Sequence, residues 1–215
     1  QKTFKEEFSI KIEVLNFDLS KETEVNDFFD KISSNDKNIN FILNCIGLGY
    51  YGDFVKAKSE INNEMINLNL SLFIKLNQFF VEHMLRHNLK SHIVCMGSLG
   101  GFVPNINNLT YGSCKKFIEV FTFGLRERLK NTNISVTLLA PGQTETNFLS
   151  KSKFKNLNNK SMSPETVAKI ATKKILKGKK IIVPGFLNNF RYFLFKLLPI
   201  SLIYLIYRLL NKDNK

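Results

Sequence analysis

Residues 92–115 read HIVCMGSLGGFVPNINNLTYGSCK, and three parts of this run decide the fold. The nearly continuous apolar segment at 92–98 predicts a strand that is buried on both faces, as strands of parallel sheets are. A loop rich in Gly, Pro and Asn follows at 99–108, and a helix is predicted over 109–130. A buried strand that leads through a loop into a helix is typical of a parallel sheet covered by helices.

The same alternation of strands and helices extends in both directions along the chain. Strands are predicted at 10–16, 39–47, 134–142 and 180–185. Helices are predicted after Ser20, over about 60–88, and from an N-cap at Ser163 to Gly178. We therefore expect an α/β fold, a doubly wound parallel sheet with helices on both faces, whose ligands bind at the carboxyl ends of the strands. The Lys/Asn/Ser-rich stretch 150–162 is predicted to be a mobile loop.

The net charge of +13 is gathered in the last third of the chain. Residues 1–150 carry 16 basic and 16 acidic side chains, whereas residues 151–215 carry 15 basic ones against Glu165 and Asp213. A diffuse nucleic-acid binder would not need this segregation, so no nucleic-acid partner is expected. A basic segment beside an apolar tail suits an anionic lipid surface better.

The cysteines and histidines give no metal site. Cys45, Cys95 and Cys114 lack CxxC spacing and are interpreted as buried free thiols in a reducing compartment, here the cytoplasm. His83 and His87 share one face of a predicted helix, but no third ligand is apparent. We interpret that face as solvated.

Two groups of polar residues lie where chemistry is expected. Tyr111 and Lys115 are spaced i, i+4, so a helix places the phenol and the ammonium on one face. A phenol has a pKa of about 10, and a neighbouring cation draws that pKa toward neutrality. Ser98 ends the preceding strand and can hydrogen-bond a carbonyl oxygen to which Tyr111 gives a proton.

Further candidates follow other strands. Asn44 to Gly47 form a turn where a cofactor could pass close to the backbone, and Asn69 is a polar residue inside an apolar helix. Residues 141–146, PGQTET, form a turn at the end of a later strand. This turn carries two hydroxyl groups, which can hydrogen-bond an amide.

Together these motifs resemble the short-chain dehydrogenase/reductase family, with matching order and spacing over about residues 10–185. The family's NNAG element is similar to residues 44–47, and its active-site Asn corresponds to Asn69. Its strand-end Ser corresponds to Ser98, and its YxxxK motif to Tyr111 and Lys115. Its PGxxxT element is similar to residues 141–146. Cys45 and Ile46 depart from the family pattern within the turn.

The resemblance implies a Rossmann-like fold and an NADP- or NAD-dependent oxidoreductase that interconverts carbonyl and alcohol groups of a small molecule. It makes Tyr111 the general acid/base and Ser98 the group that orients the carbonyl. Lys115 would lower the pKa of Tyr111 and hold the nicotinamide ribose, and Asn69 would support a water that leads to Lys115. The resemblance also implies cofactor contacts for seven further residues: Asp18 (adenine), Asn44, Gly47, Pro141, Gly142, Thr144 and Thr146.

The family's glycine-rich phosphate-binding turn has no counterpart before residue 10, so the first βαβ unit is expected to be absent. Residues 1–185 then form an incomplete catalytic domain. A truncated, inactive remnant that acts as a membrane-associated scaffold or interaction module is the alternative function.

Residues 186–215 form an apolar, basic helical tail. Its longest stretch without charge, 197–207, is eleven residues, against the roughly 20 that span a bilayer. Pro199 divides the tail into two short helices, and basic residues flank its aliphatic and aromatic side chains. We expect 186–210 to lie on a membrane surface as a peripheral element. Helices that cover the substrate cleft, or a homodimer interface, are the alternatives.

Overall fold

The computed structural model describes residues 10–35, 37–102, 105–148, 152 and 161–210. The chain divides into two units, residues 1–36 and residues 37–215, and each is described by itself. The expected mobile loop at 150–162 lies outside the described residues, apart from Ser152 and the two residues 161 and 162.

Helix α1 (Glu22–Ser33) is the regular element of the first unit's described part, and it confirms the helix predicted after Ser20. The strand predicted at 10–16 is wrong, because the described residues provide no neighbouring strand with which its backbone forms a ladder. Ile10 and Val14 are accordingly exposed. Asp18 is held locally, since its carboxylate accepts hydrogen bonds from the backbone N–H and the hydroxyl of Ser20, at 3.1 and 2.6 Å.

Four parallel strands form the sheet of the second unit in the order β1 (Phe41–Asn44), β2 (Ser91–Met96), β3 (Ile134–Leu139) and β4 (Ile181–Ile182). The helices between and after them have these bounds: α2 (Ser59–Ile66), α3 (Leu72–His87), α4 (Leu109–Arg128), α5 (Pro164–Ile175), α6 (Phe186–Leu197) and α7 (Ile200–Leu210). One π-helical turn, Asn67–Ser71, joins α2 to α3. The predicted helix and strand positions are confirmed from residue 39 onward, with shorter strands.

Both faces of the sheet are covered, as the continuous apolar runs predict. Ile93 and Cys95 of β2 join one core cluster with Phe73 of α3 and Ile118 of α4. Val94, which points to the other side of the strand, joins a second cluster that α5 and β4 complete. The doubly wound α/β fold is thereby confirmed for the described residues.

The ends of α5 follow the sequence signals. The Ser163 hydroxyl accepts a hydrogen bond from the backbone N–H of Thr166 at 3.2 Å, and Pro164 opens the first turn. Gly178, with a φ of +62°, adopts the left-handed conformation that lets the chain turn back into β4.

The histidines of α3 have a structural role that the sequence did not indicate. Nε2 of His83 accepts a hydrogen bond from the backbone N–H of Ile39 at 3.1 Å, and Nε2 of His87 lies 3.1 Å from the carbonyl oxygen of Ile39. The pair thus fixes the chain immediately before β1. His83 is buried, so the interpretation of this face as solvated was wrong for that residue. Within the described residues no group of three or more His, Cys, Asp or Glu side chains could hold a metal ion.

The tail forms the two helices α6 and α7, which Pro199 separates as predicted. Both are anchored to the second unit, because Tyr192 and Ile203 are buried. No helix in the described ranges has the length and apolar character needed to cross a membrane.

Candidate active site

Ser98, Tyr111 and Lys115 come together beyond the carboxyl end of β2. Ser98 lies two residues after the strand, where its hydroxyl oxygen accepts a hydrogen bond from the backbone N–H of Gly100 at 3.1 Å. Tyr111 is in the first turn of α4 and is hydrogen-bonded to the Ser98 side chain. Lys115 lies one turn further along the same face, with its ammonium 5.6 Å from the centre of the Tyr111 ring.

Burial sets the protonation of Tyr111. The side chain is 7% exposed, and the loss of solvent raises the pKa of its phenol to about 12, although the hydrogen bond with Ser98 opposes this shift. The phenol is therefore neutral near pH 7 and can act as a proton donor.

Burial acts on Lys115 in the opposite direction. The ammonium donates a hydrogen bond to the carbonyl oxygen of Met96 at 3.0 Å, and the loss of solvent lowers its pKa to about 8. The sequence predicted that Lys115 would lower the pKa of Tyr111, but in this structure desolvation outweighs any such effect and the pKa of Tyr111 is raised.

Asn69 lies in the π-helical turn, with its side chain close to Gly47 and Lys115. It is fully buried, and its amide donates hydrogen bonds to the carbonyl oxygens of Leu48 at 2.8 Å and Met65 at 2.9 Å. Its Oδ1 atom has no hydrogen-bond partner among the described residues. A Cβ at Gly47 would lie 2.6 Å from this oxygen and 3.4 Å from the Lys115 ammonium nitrogen. A side chain at position 47 would displace Asn69, and the side chains of Asn69 and Lys115 both lie close to Gly47.

Asn44 and the turn after β3 complete the set in the second unit. Asn44 is buried at the end of β1, and its Nδ2 has no partner among the described residues. Pro141 accepts a hydrogen bond from the backbone N–H of Leu99 at 2.9 Å, which ties this turn to the loop of Ser98. The Thr144 hydroxyl donates to the carbonyl oxygen of Gly142 at 3.1 Å.

A cleft of about 1000 Å³ opens along the carboxyl ends of the strands. The predicted site residues that line it are Gly47, Ser98, Tyr111, Lys115, Pro141, Gly142, Thr144 and Thr146. Asn69 and Asn44 do not line the cleft. Asp18 belongs to the other unit, so its predicted adenine contact stays a prediction.

The cleft has further lining residues that the sequence did not indicate. Phe148 packs against Tyr111 with ring centres 5.7 Å apart, and Asn108 precedes α4. Arg191 and Phe195 reach the cleft from α6. Their i, i+4 spacing was a usable signal, but most other residues of the segment are also apolar or basic, which hides it.

Comparison with known proteins identifies the family of the chain. Residues 1–156 match the family model described as short chain dehydrogenase. Carbonyl reductase family member 4 of Xenopus laevis is 30% identical over 144 residues, which are 67% of this chain and 61% of that protein. An uncharacterized short-chain type dehydrogenase/reductase of Sinorhizobium fredii is 31% identical over 72% of this chain and 63% of its own length. The chain thus spans about three fifths of the length of these curated relatives.

A solved structure shows the same fold. The short-chain dehydrogenase from Sphingobium yanoikuyae, in complex with NADPH, superposes with a TM-score of 0.80 at 20% identity, over 93% of this chain and 81% of that one. The match of the family model to most of the chain establishes the family. This chain belongs to the short chain dehydrogenases.

Proposed function

We propose that the protein is an NAD(P)-dependent oxidoreductase that interconverts a carbonyl group and an alcohol. The observation that carries the proposal is the Ser98–Tyr111–Lys115 set at the cleft. It combines a neutral phenol, a hydroxyl hydrogen-bonded to it and a buried ammonium. Carbonyl reduction needs a proton donor beside an oxygen that is already held, and these groups supply both. A scaffold would not require such a set.

A nicotinamide nucleotide fits the residues that are present. Gly47 lines the cleft without a side chain of its own, and Lys115 lies beside it with donor capacity beyond its bond to Met96. Thr144 and Thr146 bring hydroxyls to the same cleft. When bound, the nicotinamide would exchange a hydride with the substrate carbon. No glycine precedes Gly47, so we assign the pyrophosphate contacts to no residue of this sequence. NADP and NAD both remain in the proposal.

The chain's own residues would divide the work in the following way. The Ser98 hydroxyl donates a hydrogen bond to the substrate oxygen and so fixes its position. Tyr111 gives its phenolic proton to that oxygen as negative charge develops there, and takes it back when the alcohol is oxidised. The Lys115 ammonium, one helical turn away, stabilises the phenolate that remains. Asn69 would hold the backbone at Leu48 and Met65 through its two hydrogen bonds and so keep Gly47 in position.

The walls of the cleft favour a hydrophobic substrate, with an acyl or steroid-like body. Its apolar lining includes Leu99, Phe148 and Phe195. Burial of apolar substrate surface against these side chains contributes about 25 cal/mol per Å². Longer aliphatic carbonyls should therefore bind more tightly than short ones.

A chain-length series with Ser98→Ala tests this function. In the full-length protein we expect kcat/KM for aldehydes and ketones to rise with chain length, and Ser98→Ala to lower it by about 10²-fold. Ser113→Ala, at an exposed position of α4, is the matched control and should leave turnover unchanged. NAD(P)H oxidation is the measurement. Equal activity of Ser98→Ala and Ser113→Ala would remove Ser98 from the site, and a rate independent of chain length would contradict the hydrophobic substrate.

A further inference from the structure

Helix α6 is apolar on two sides, and only one of them is covered. On the inner side Tyr192 is 1% exposed and packs edge-on against Phe102, with ring centres 4.6 Å apart. On the outer side Phe186 and Leu197 are 86% and 82% exposed. The large exposed apolar residues of α6 are Phe186, Leu187, Phe190, Phe193, Leu194 and Leu197. A helix of this composition is normally buried all round.

Helix α7 also has one buried apolar side and one exposed apolar side. Ile203 is buried, and the Tyr207 oxygen accepts a hydrogen bond from the backbone N–H of Ile106, which attaches the helix to the loop before α4. Its outer residues are exposed: Ile200, Leu202, Tyr204, Leu205 and Leu209. Exposed apolar patches on this scale mark an interaction surface rather than ordinary exposure of single residues. We call the outer residues of α6 and α7 the α6–α7 surface.

The stretch of sequence that contains α6 and α7 carries positive charge alone. No acidic residue occurs from 166 to 212, whereas ten basic residues do: Lys169, Lys173, Lys174, Lys177, Lys179, Lys180, Arg191, Lys196, Arg208 and Lys212. Lys180 and Lys196 both lie over the Phe123 ring, at 4.6 and 5.4 Å from its centre. Glu127, the carboxylate near Lys180, is paired with Lys130.

We propose that the α6–α7 surface docks on an anionic lipid bilayer. Its aromatic and aliphatic side chains would enter the boundary between headgroups and acyl chains, and the basic residues would face lipid phosphates and carboxylates. Apolar contact combined with positive charge matches this occupant. A second copy of the chain would repel these cations, and a nucleic acid would leave the apolar side chains in water.

The same helix links the docking surface to the cleft. Arg191 and Phe195 line the cleft, while Phe190 and Leu194, their neighbours on α6, belong to the α6–α7 surface. A substrate dissolved in the bilayer would therefore meet the cleft beside the docked helix. This extension to a lipid carbonyl substrate depends on the proposed oxidoreductase function, whereas the docking itself does not.

Vesicle flotation of the full chain tests the docking. The probes are phosphatidylcholine vesicles and vesicles of phosphatidylcholine mixed with phosphatidylserine. The variant Phe186→Glu/Leu197→Glu/Ile200→Glu changes three exposed positions that carry no core packing. Val55→Glu, at an apolar position that is 88% exposed outside the surface, is the matched control. Circular dichroism and size-exclusion chromatography of each variant report folding and oligomeric state.

We expect flotation with the anionic vesicles, little with the neutral ones, and a loss of about tenfold or more in the triple variant but not in Val55→Glu. Equal binding to both vesicle types would contradict the proposed preference for anionic lipid. Absence of flotation, or a dimer that the triple variant dissociates, would overturn lipid docking in favour of other occupants. None of these outcomes measures turnover, so a failure here is distinct from a failure of the oxidoreductase proposal.

Discussion

Replacement of Tyr111 by Phe is expected to lower kcat/KM for carbonyl reduction by about 10²- to 10⁴-fold, which is the usual contribution of a general acid. The substitution removes the phenolic proton and the hydrogen bond with Ser98, while the ring that packs against Phe148 stays in place. The measurement is NAD(P)H oxidation by the full-length protein over a range of carbonyl-substrate concentrations that includes values below KM. Loss of one hydrogen bond should change the free energy of unfolding by only about 1 kcal/mol, so the variant should remain folded.

Tyr192→Phe is the matched control for this prediction. Tyr192 is also buried, and its hydroxyl accepts a hydrogen bond from Lys196 at 3.2 Å, but it does not line the cleft. This variant should keep its turnover with a similarly small change in stability. If Tyr111→Phe kept as much activity as Tyr192→Phe, the phenol could not be the proton donor.

Replacement of Lys115 by Met is the second change with a large expected effect. It removes the buried ammonium that lies beside Tyr111 and Gly47, and we expect kcat/KM to fall by about 10²-fold or more. Exchange of a buried cation for an apolar side chain of similar length need not destabilise the fold. Thermal unfolding of the variant should therefore show whether the loss of activity comes with a loss of stability. Lys169→Met, at an exposed position of α5, is the control and should behave like the unaltered protein.

The pH profile gives Lys115 a signature that a purely structural role would lack. Burial lowers the pKa of Lys115 to about 8, so the ammonium loses its proton as the pH rises through that value. Tyr111, with a pKa of about 12, stays protonated over the same range. We expect kcat/KM for reduction to be constant below about pH 8 and to decline above it. A profile that is flat up to pH 10 would contradict this assignment.

Local spacing explains why the sequence could predict that Ser98, Tyr111 and Lys115 lie together. Tyr111 and Lys115 share a helix face because they are four residues apart, and Ser98 lies near them because it ends the strand that leads into the same loop. The strand at 92–98 was recognisable because both of its faces are buried. Patterns within one strand–helix unit carry this information.

Long-range contacts explain what could not be predicted. The segment 10–16 has the composition of a strand, but strand formation depends on a neighbouring strand, which local pattern does not reveal. His83 contacts the backbone of Ile39, 44 positions away in sequence. The raised pKa of Tyr111 follows from burial by several elements, whereas the sequence showed only the nearby Lys115. Arg191 reaches the cleft because α6 packs through Tyr192.

Transfer of deuterium from C4-deuterated NADPH and NADH to the product is the most direct test of the central claim, that the Ser98–Tyr111–Lys115 cleft performs carbonyl reduction. The full-length protein would be incubated with each cofactor and a long-chain ketone, and the alcohol analysed by mass spectrometry. We predict one deuterium at the carbinol carbon from one face of the nicotinamide, and product formation reduced by about 10²-fold or more in Tyr111→Phe. Absence of labelled alcohol with both cofactors across the chain-length series, or an equal rate of labelled-alcohol formation by Tyr111→Phe, would contradict the account.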